Sequence, residues 1–338
     1  MALGWAVEED RFTFAGSTLK AFPLLGAAVA WLVLLEAPLL HLPGVPAWGA
    51  AAVLAPGLLA AALLVAAVGL GWTALGDPPR QDASLIATRP GAAPRRWIVA
   101  HLDTKAQGHS LAGRIVAVGV LAAAVLALGV AAAWRASGPL PPMAIAAVSL
   151  LGLAASTLAA RGGRHGASPG ARDNASGIVA LLAAARDAGP ETGLVVTGAE
   201  EFGLVGARLL ARRHPARFRG AEVINLDTLD DDGPLSLLAH DRRGGAYARA
   251  LAPSLASLGL PVRFPLLPPG VLVDSVPFAR AGATAVTVAR VTWQTLRIVH
   301  TPRDTDAGLA FDTAERLGRL LARPGQASRA VVPPPSAD

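Results

Sequence analysis

Cysteine is absent from this chain of 338 residues. The absence excludes disulfide bonds and thiolate metal ligands, so any bound metal must be held by histidine, aspartate and glutamate. It does not identify a cellular compartment.

Charged residues are scarce as well. They make up 16% of the chain, against 53% hydrophobic residues, which is too apolar a balance for an ordinary soluble protein. The apolar residues are concentrated in a few blocks rich in alanine, leucine and valine, and the remaining stretches have a normal globular composition. This division predicts membrane-spanning segments attached to a soluble domain.

Lysine occurs only at Lys20 and Lys105, so arginine carries most of the net charge of +6. The arginines are dispersed, and aromatic residues, at 5%, are not interleaved with them. Because binding to single-stranded nucleic acid relies on aromatic side chains within a basic groove, we do not expect nucleic acid as a partner.

Four apolar blocks reach the length of about 20 residues that a bilayer span requires. Glu36, near the end of the first block, is the only charged residue within them. Buried core helices are the alternative, but blocks without a polar face favour the membrane. Short connectors join the blocks into two helical hairpins. We therefore predict four transmembrane helices, at about 21–40, 47–75, 115–134 and 140–160.

The distribution of arginine predicts the orientation. The hairpin tips carry only Arg135, whereas the opposite ends of the spans are flanked by many basic residues. By the positive-inside rule, both termini and the soluble part lie in the cytoplasm. We expect an integral protein of a bacterial-type inner membrane, with the lipid bilayer as a partner.

The soluble sequence comes in two pieces, in which strand-like and helical segments alternate. Such alternation predicts an α/β fold, a mixed and mostly parallel sheet with helices on both faces. The resulting order is an N-terminal segment, a transmembrane hairpin, the first part of the soluble domain, an inserted transmembrane hairpin, the second part of the soluble domain and a disordered tail. The boundaries are 1–20, 21–75, 76–110, 111–160, 161–323 and 324–338.

Histidines and carboxylates follow the predicted strands at their carboxyl ends, where open α/β sheets bind ligands. Clustered carboxylates repel one another and need a positive partner. Two histidines with several carboxylates suit a pair of zinc ions. The residues concerned are His101, Asp103, Glu200, Glu201, Asp227 and His300, joined by Asp173, which stands just before a predicted helix.

These residues lie in five short motifs: HLD at 101–103, DNASG at 173–177, EEFG at 200–203, NLD at 225–227 and HTPRD at 300–304. Each is common alone, but in this order they resemble the co-catalytic zinc exopeptidases related to bacterial leucyl aminopeptidase. Transferrin receptor and glutaminyl cyclases share that fold. The resemblance covers about 83–105 and 165–322, and it implies the zinc exopeptidase fold and two zinc ions per chain.

The resemblance also implies roles for the metal ligands. His101 and Asp227 would hold one zinc, Glu201 and His300 the other, and Asp173 would bridge both. Asp173 could instead only cap the following helix, and Asp227 could cap a turn.

Further roles follow from the same resemblance. Glu200 would be the general base, and Asp103 would orient the ring of His101. Asp304 is expected to support the site. Asp274 would lie near the substrate pocket or cap a helix.

An unusual gap separates the first two ligands. His101 and Asp173 are 72 positions apart (173 − 101), and the predicted third and fourth spans fill the interval. A hairpin enters and leaves on one side of the membrane, so both halves of the site stay on that side. The site would then lie near the bilayer, which favours hydrophobic or membrane-associated peptide substrates.

The sequence therefore predicts a membrane-bound zinc exopeptidase, in the first instance an aminopeptidase, although a carboxypeptidase remains open. One alternative is a glutaminyl cyclase-like acyltransferase with a single zinc, to which the segment from His101 to Lys105 has some similarity. Another is a membrane receptor or scaffold whose peptidase fold is inactive.

Overall fold

The computed structural model describes residues 3–15, 18–42, 44, 46, 48–49, 55–59, 62–63, 79–162, 166–266 and 272–323. The chain divides into two compact units. The sheet unit comprises Met1–Phe14, Pro79–Lys105 and Ala167–Asp338, and the helical unit comprises Ala15–Pro78 and Ala106–Gly166. The predicted tail, 324–338, lies outside the described residues.

An eight-stranded sheet forms the centre of the sheet unit, in the order β1-β2-β4-β3-β5-β8-β6-β7. Parallel pairing joins β3 to β4 and β5, β5 to β8, and β6 to β7. The strands β2 and β6 pair antiparallel with β4 and β8. The predicted mixed, mostly parallel sheet is confirmed. The strands are β1 (Ala6–Ala15), β2 (Pro79–Thr88), β3 (Arg96–His101), β4 (Thr192–Thr197), β5 (Glu222–Leu229), β6 (Leu235–Ala239), β7 (Val262–Arg263) and β8 (Thr284–Arg290).

Helices cover both faces of this sheet. Alternate residues of a strand point to opposite faces, and on β3 Ile98 belongs to one apolar core whereas Trp97 and Val99 belong to the other. The described helices of the unit are α4 (Ser176–Asp187), α5 (Val205–Arg213), α6 (Pro215–Phe218), α7 (Arg242–Ala256), α8 (Ser275–Arg280), α9 (Trp293–Leu296) and α10 (Asp312–Ala322). The first core includes residues of α4, α7 and α10, and the second includes residues of α5, α6 and α8.

The strand register brings the chemical motifs to one edge. All six residues of β3 are buried, as expected for a parallel strand covered on both faces. His101 at its end lies opposite Thr197 at the end of β4, and Val99 lies opposite Asn225 of β5. The loops that follow β3, β4 and β5 therefore begin side by side.

The helical unit contains α1 (Thr18–Leu39), α2 (Leu111–Ser137) and α3 (Pro142–Ala160). Small and branched residues form its interior, among them Ala30 and Val33 of α1 and Leu128 of α2. Many apolar side chains instead point outward: Leu126 is 70% exposed and Leu150 is 65% exposed.

Among the described residues, two helices, α2 and α3, are long and apolar enough to cross a membrane. They correspond to the predicted third and fourth spans. The prediction of four such helices is not reproduced. The apolar part of α1 within the described residues, Leu25–Leu39, is shorter than a span, and most of the predicted second span, 47–75, lies outside the described residues.

Candidate metal site

Asp173 lies at the centre of the site. Its Oδ1 is 3.1 Å from Nε2 of His101, and its Oδ2 is 3.1 Å from Nε2 of His300. All three side chains are buried. The structure therefore joins two histidines that are far apart in the sequence through the two oxygens of one carboxylate, which is the arrangement that a bridging ligand requires.

A second carboxylate accompanies each histidine. Glu201 Oε1 is 3.3 Å from Nε2 of His300, and Asp227 Oδ1 is 4.0 Å from Nε2 of His101. All five predicted ligands are thus brought together. Potential ligand atoms within 4.8 Å of one another form two groups, Asp173 with Glu201 and His300, and His101 with Glu200 and Asp227. Glu200, predicted to be the base, lies close enough to join the second group.

Three residues that hold the site have left-handed backbone conformations. Ala199, which precedes Glu200, has φ of 51°, and Thr228, which follows Asp227, has φ of 55°. His300 itself has φ of 67°. Residues other than glycine rarely adopt positive φ, and those that do are concentrated at functional sites.

Two aspartates outside the ligand set fix the ligand-bearing loops. The carboxylate of Asp103 accepts the N–H groups of Glu200, at 2.9 Å, and Glu201, at 3.0 Å. In the same way, the Asp304 carboxylate accepts the N–H groups of Arg172, at 2.9 Å, and Asp173, at 3.2 Å.

Asp103 therefore acts differently from the prediction. Nδ1 of His101 lies 3.0 Å from the main-chain oxygen of Asp103, whereas the carboxylate is 3.8 Å away. The ring is oriented by the backbone, because the side-chain oxygens are engaged by the loop of Glu200 and Glu201.

Asn174 ties the bridging loop to β5, a role that the sequence did not reveal. Its Oδ1 accepts the N–H groups of Gly177 and Thr228, and its Nδ2 donates to the carbonyl of Leu226. A Cβ at Gly177 would lie 2.4 Å from Asn174 Oδ1, so only glycine fits there.

Asp274 precedes α8, but its carboxylate does not cap this helix. It is fully buried and accepts a hydrogen bond from the hydroxyl of Thr197 at the end of β4. The alternative of a helix cap is therefore wrong. Burial, with the charges of Asp103 and Asp227 nearby, raises the pKa of Asp274 to about 7.

The electrostatics fit a cation site. Burial and neighbouring carboxylates raise the pKa of Glu200 well above its usual range and that of Asp227 to about 6. Burial would lower the pKa of His101, but the adjacent carboxylates outweigh it and raise that pKa. Two histidine hydrogen bonds lower the pKa of Asp173 despite its burial. So many acids in one buried space need positive charge, and protons compete with metal ions to supply it.

The donor set fits zinc in type. Imidazole nitrogens and carboxylate oxygens are zinc ligands. Oε1 of Glu201 is buried and, apart from its 3.3 Å contact with Nε2 of His300, has no hydrogen-bond partner among the described residues. This oxygen is therefore available to a cation shared with His300. Lys105, which the sequence did not assign to the site, contacts the other oxygen of Glu201.

Part of the chain matches a known protein family, and the chain is similar to several solved structures. The sequence model of peptidase family M28 matches residues 157–323. Among solved structures, the chain is similar to the aminopeptidase from Aneurinibacillus sp. strain AM-1, with 15% identity, a TM-score of 0.45, and coverage of 78% of this chain and 54% of that one.

Two further similarities are of the same order. The LapA aminopeptidase of Legionella pneumophila has 17% identity and a TM-score of 0.45, with coverage of 75% and 55%. Porphyromonas gingivalis glutaminyl cyclase has 16% identity and a TM-score of 0.49, with coverage of 88% and 96%. The chain spans about half the length of the first aminopeptidases it matches, 54% of the Aneurinibacillus protein and 49% of a zinc aminopeptidase from Bacillus subtilis. No curated protein matches the chain.

Proposed function

We propose that this chain is a membrane-bound, zinc-dependent exopeptidase, in the first instance an aminopeptidase. The single observation that carries the proposal is the Asp173 carboxylate, whose two oxygens each lie 3.1 Å from a different histidine. A further carboxylate beside each histidine, Glu201 and Asp227, completes the two halves. The match of residues 157–323 to peptidase family M28 supports a peptidase.

His101 and Asp227 would hold one zinc, Glu201 and His300 the other, and Asp173 both. When bound, the two cations would polarise the scissile carbonyl and lower the pKa of the attacking water. The chain's own residues then have to position the peptide and move protons.

Glu200 is the proposed general base. Its carboxylate would accept the proton of the attacking water and donate it to the leaving amine, a contribution of about 10²–10⁴-fold in rate. Asp103 holds the main-chain N–H of Glu200 and so fixes the point from which the carboxylate projects.

Insertion in a membrane is part of the proposal. The helices α2 and α3 are apolar enough to span a bilayer, and only 17% of the residues in their most apolar stretches are buried. We assign the sheet unit to the cytoplasm from the distribution of arginine. Lys105 contacts the proposed ligand Glu201, and α2 begins six residues later in the sequence. Because a proposed membrane span follows the site so closely in the chain, we propose hydrophobic or membrane-associated peptides as the substrates.

A glutaminyl cyclase-like acyltransferase with one zinc is the second candidate. Lys105 favours it, because the ammonium group is bound to Glu201 and reduces the negative charge available to a second cation. Zinc content separates the two, at two ions per chain for the peptidase and one for the cyclase. An inactive receptor is the third reading, and retention of Glu200 beside all five ligands argues against it.

The test uses the full chain purified in detergent, assayed against peptides with free and blocked amino termini, before and after chelation. We expect hydrolysis of the free peptides, loss on chelation and recovery with zinc. Glu200→Gln should abolish most activity while zinc content stays at that of the wild type. The proposal fails if the zinc-loaded wild type cleaves none of the peptides, or if Glu200→Gln leaves the rate unchanged.

A further inference from the structure

Asp230 lies just beyond β5, three positions after the proposed ligand Asp227, and it is 8% exposed. Its two carboxylate oxygens reach two other parts of the chain. Oδ1 forms an ion pair with Nε of Arg172 at 3.1 Å, and Oδ2 accepts a hydrogen bond from the hydroxyl of Thr295 at 2.6 Å.

Each partner of Asp230 adjoins a proposed ligand. Arg172 directly precedes Asp173, and its Nη1 also donates to the carbonyl of Thr305. Thr295 lies in α9, and its carbonyl accepts the N–H of Val299, the residue before His300. Asp230 therefore connects the segments that carry Asp227, Asp173 and His300.

We infer that Asp230 is a positioning residue that holds three ligand-bearing segments at the spacing that the metal pair requires. The inference rests on the proposed function. Asp230 need not touch metal or substrate, because its effect passes through Arg172 and Thr295. Groups that orient ligands in this way typically change metal affinity about 10–100-fold when they are removed.

The burial of these groups supports this role. The side chains of Asp230 and Arg172 are 11% and 12% exposed, and Thr295 is fully buried. Asparagine at position 230 could accept the Thr295 hydroxyl but could not neutralise the guanidinium of Arg172. Without the Asp230 charge, Arg172 would keep only a longer ion pair, from its Nη1 to Oδ1 of Asp304 at 3.8 Å, among the contacts of the described residues. A buried charge that loses its nearer partner is poorly compensated, so Arg172 and the adjoining Asp173 would move.

The experiment measures zinc affinity by competition with a chromophoric chelator, together with thermal unfolding of the metal-free protein, kcat and KM. The variants are Asp230→Asn and the control Asp232→Asn. Asp232 is exposed and has no ion pair or hydrogen bond within the described part of the chain. We expect Asp230→Asn to weaken zinc binding by about 10–100-fold and to lower kcat with little change in KM. The control should match the wild type.

A second pair of variants covers the case in which Asp230→Asn does not fold. Thr295→Val removes the hydroxyl and should weaken zinc binding in the same direction, and Thr295→Ser should restore it. The inference is overturned if folded Asp230→Asn, or folded Thr295→Val, binds zinc as the wild type does. If the wild type itself binds no zinc, the proposed function fails and this inference fails with it, an outcome that the wild-type titration alone identifies.

Discussion

Replacement of Asp103 by asparagine tests how the site holds its general base. The Asp103 carboxylate accepts two successive N–H groups, those of Glu200 and Glu201. Asparagine keeps one acceptor oxygen and turns an NH₂ group toward the other N–H. One charge-assisted hydrogen bond is lost and a buried donor is left unpaired.

The size of the effect follows from these contacts. A hydrogen bond to a charged group contributes about 1.5–3 kcal/mol, so we expect the free energy of unfolding to fall by about 2–3 kcal/mol. The larger effect is on catalysis, because the Glu200 carboxylate is no longer fixed. A displacement of about 1 Å in a catalytic group can cost roughly 10²-fold in rate. The orientation of His101 should survive, because its ring contacts the main-chain oxygen of residue 103.

The assay compares kcat, zinc affinity and thermal unfolding of Asp103→Asn with those of Asp304→Asn. Asp304 fixes the N–H of Asp173, so its replacement should weaken zinc binding at the bridging ligand more than it changes the base. The reasoning is refuted if folded, zinc-loaded Asp103→Asn turns over peptide at the wild-type rate.

Three further predictions concern stability and the membrane. Because burial raises the pKa of Asp274 from 3.8 to about 7, folding favours the protonated form of this carboxyl. The metal-free protein should therefore lose stability as pH rises between these two values, by roughly 1.4 kcal/mol per pKa unit. Thermal unfolding of Asp274→Asn should depend less on pH over that range, and a dependence equal to that of the wild type would contradict the prediction. Gly318→Ala places a Cβ 1.9 Å from the carbonyl oxygen of Ala180 and should cost about 1–3 kcal/mol in denaturant unfolding. Gly245→Ala should not destabilise, because its Cβ would meet only Nη1 of Arg249, at an ordinary contact distance of 3.8 Å. Leu126→Arg should raise the free energy of inserting α2 into a bilayer by about 2.5–3.5 kcal/mol. More of this variant than of the wild type should then be released when membranes are washed with alkaline carbonate. Release of the wild type itself would contradict a membrane span at α2.

The mixed, mostly parallel sheet was predictable because the signals of its central strands are local. The run from Trp97 to His101 is continuous and apolar, as a parallel strand covered on both faces must be, and the structure assigns Arg96–His101 to β3. By contrast, β1 at Ala6–Ala15 was not predicted. It contains Glu8, Glu9 and Asp10. Neighbouring helices balance two of them, since Arg213 contacts Asp10 and Arg217 pairs with Glu8 at 2.7 Å, whereas Glu9 pairs with Arg11 of the strand itself. Such compensation is tertiary and leaves no pattern in the strand itself.

The meeting of His101, Glu201 and Asp227 was predictable because the carboxyl ends of adjacent parallel strands must meet. Asp173 and His300 do not follow such strands, and the order of the motifs predicted their place. The residues that hold the proposed ligands in place were less predictable. Asn174 belongs to the motif at 173–177, but its hydrogen bonds with Leu226 and Thr228 depend on how two loops fold together. Asp230 gave no sign of its two connections, because Arg172 and Thr295 are distant in sequence and neither forms a recognised pattern with it.

Ala199, Thr228 and His300 share a backbone conformation that no sequence pattern at this site predicts. Each has positive φ, and each either is a proposed ligand or adjoins a proposed ligand or the proposed base. A left-handed conformation at a residue other than glycine costs of the order of 1–3 kcal/mol and persists only where the surroundings impose it. The surroundings here are hydrogen bonds that span the fold: Asp103 to the loop after Ala199, and Asn174 to the N–H of Thr228. Tertiary hydrogen bonds therefore impose the geometry of the candidate site. The order of the motifs identifies which side chains meet, whereas Asp103 and Asn174 determine how closely those side chains approach one another.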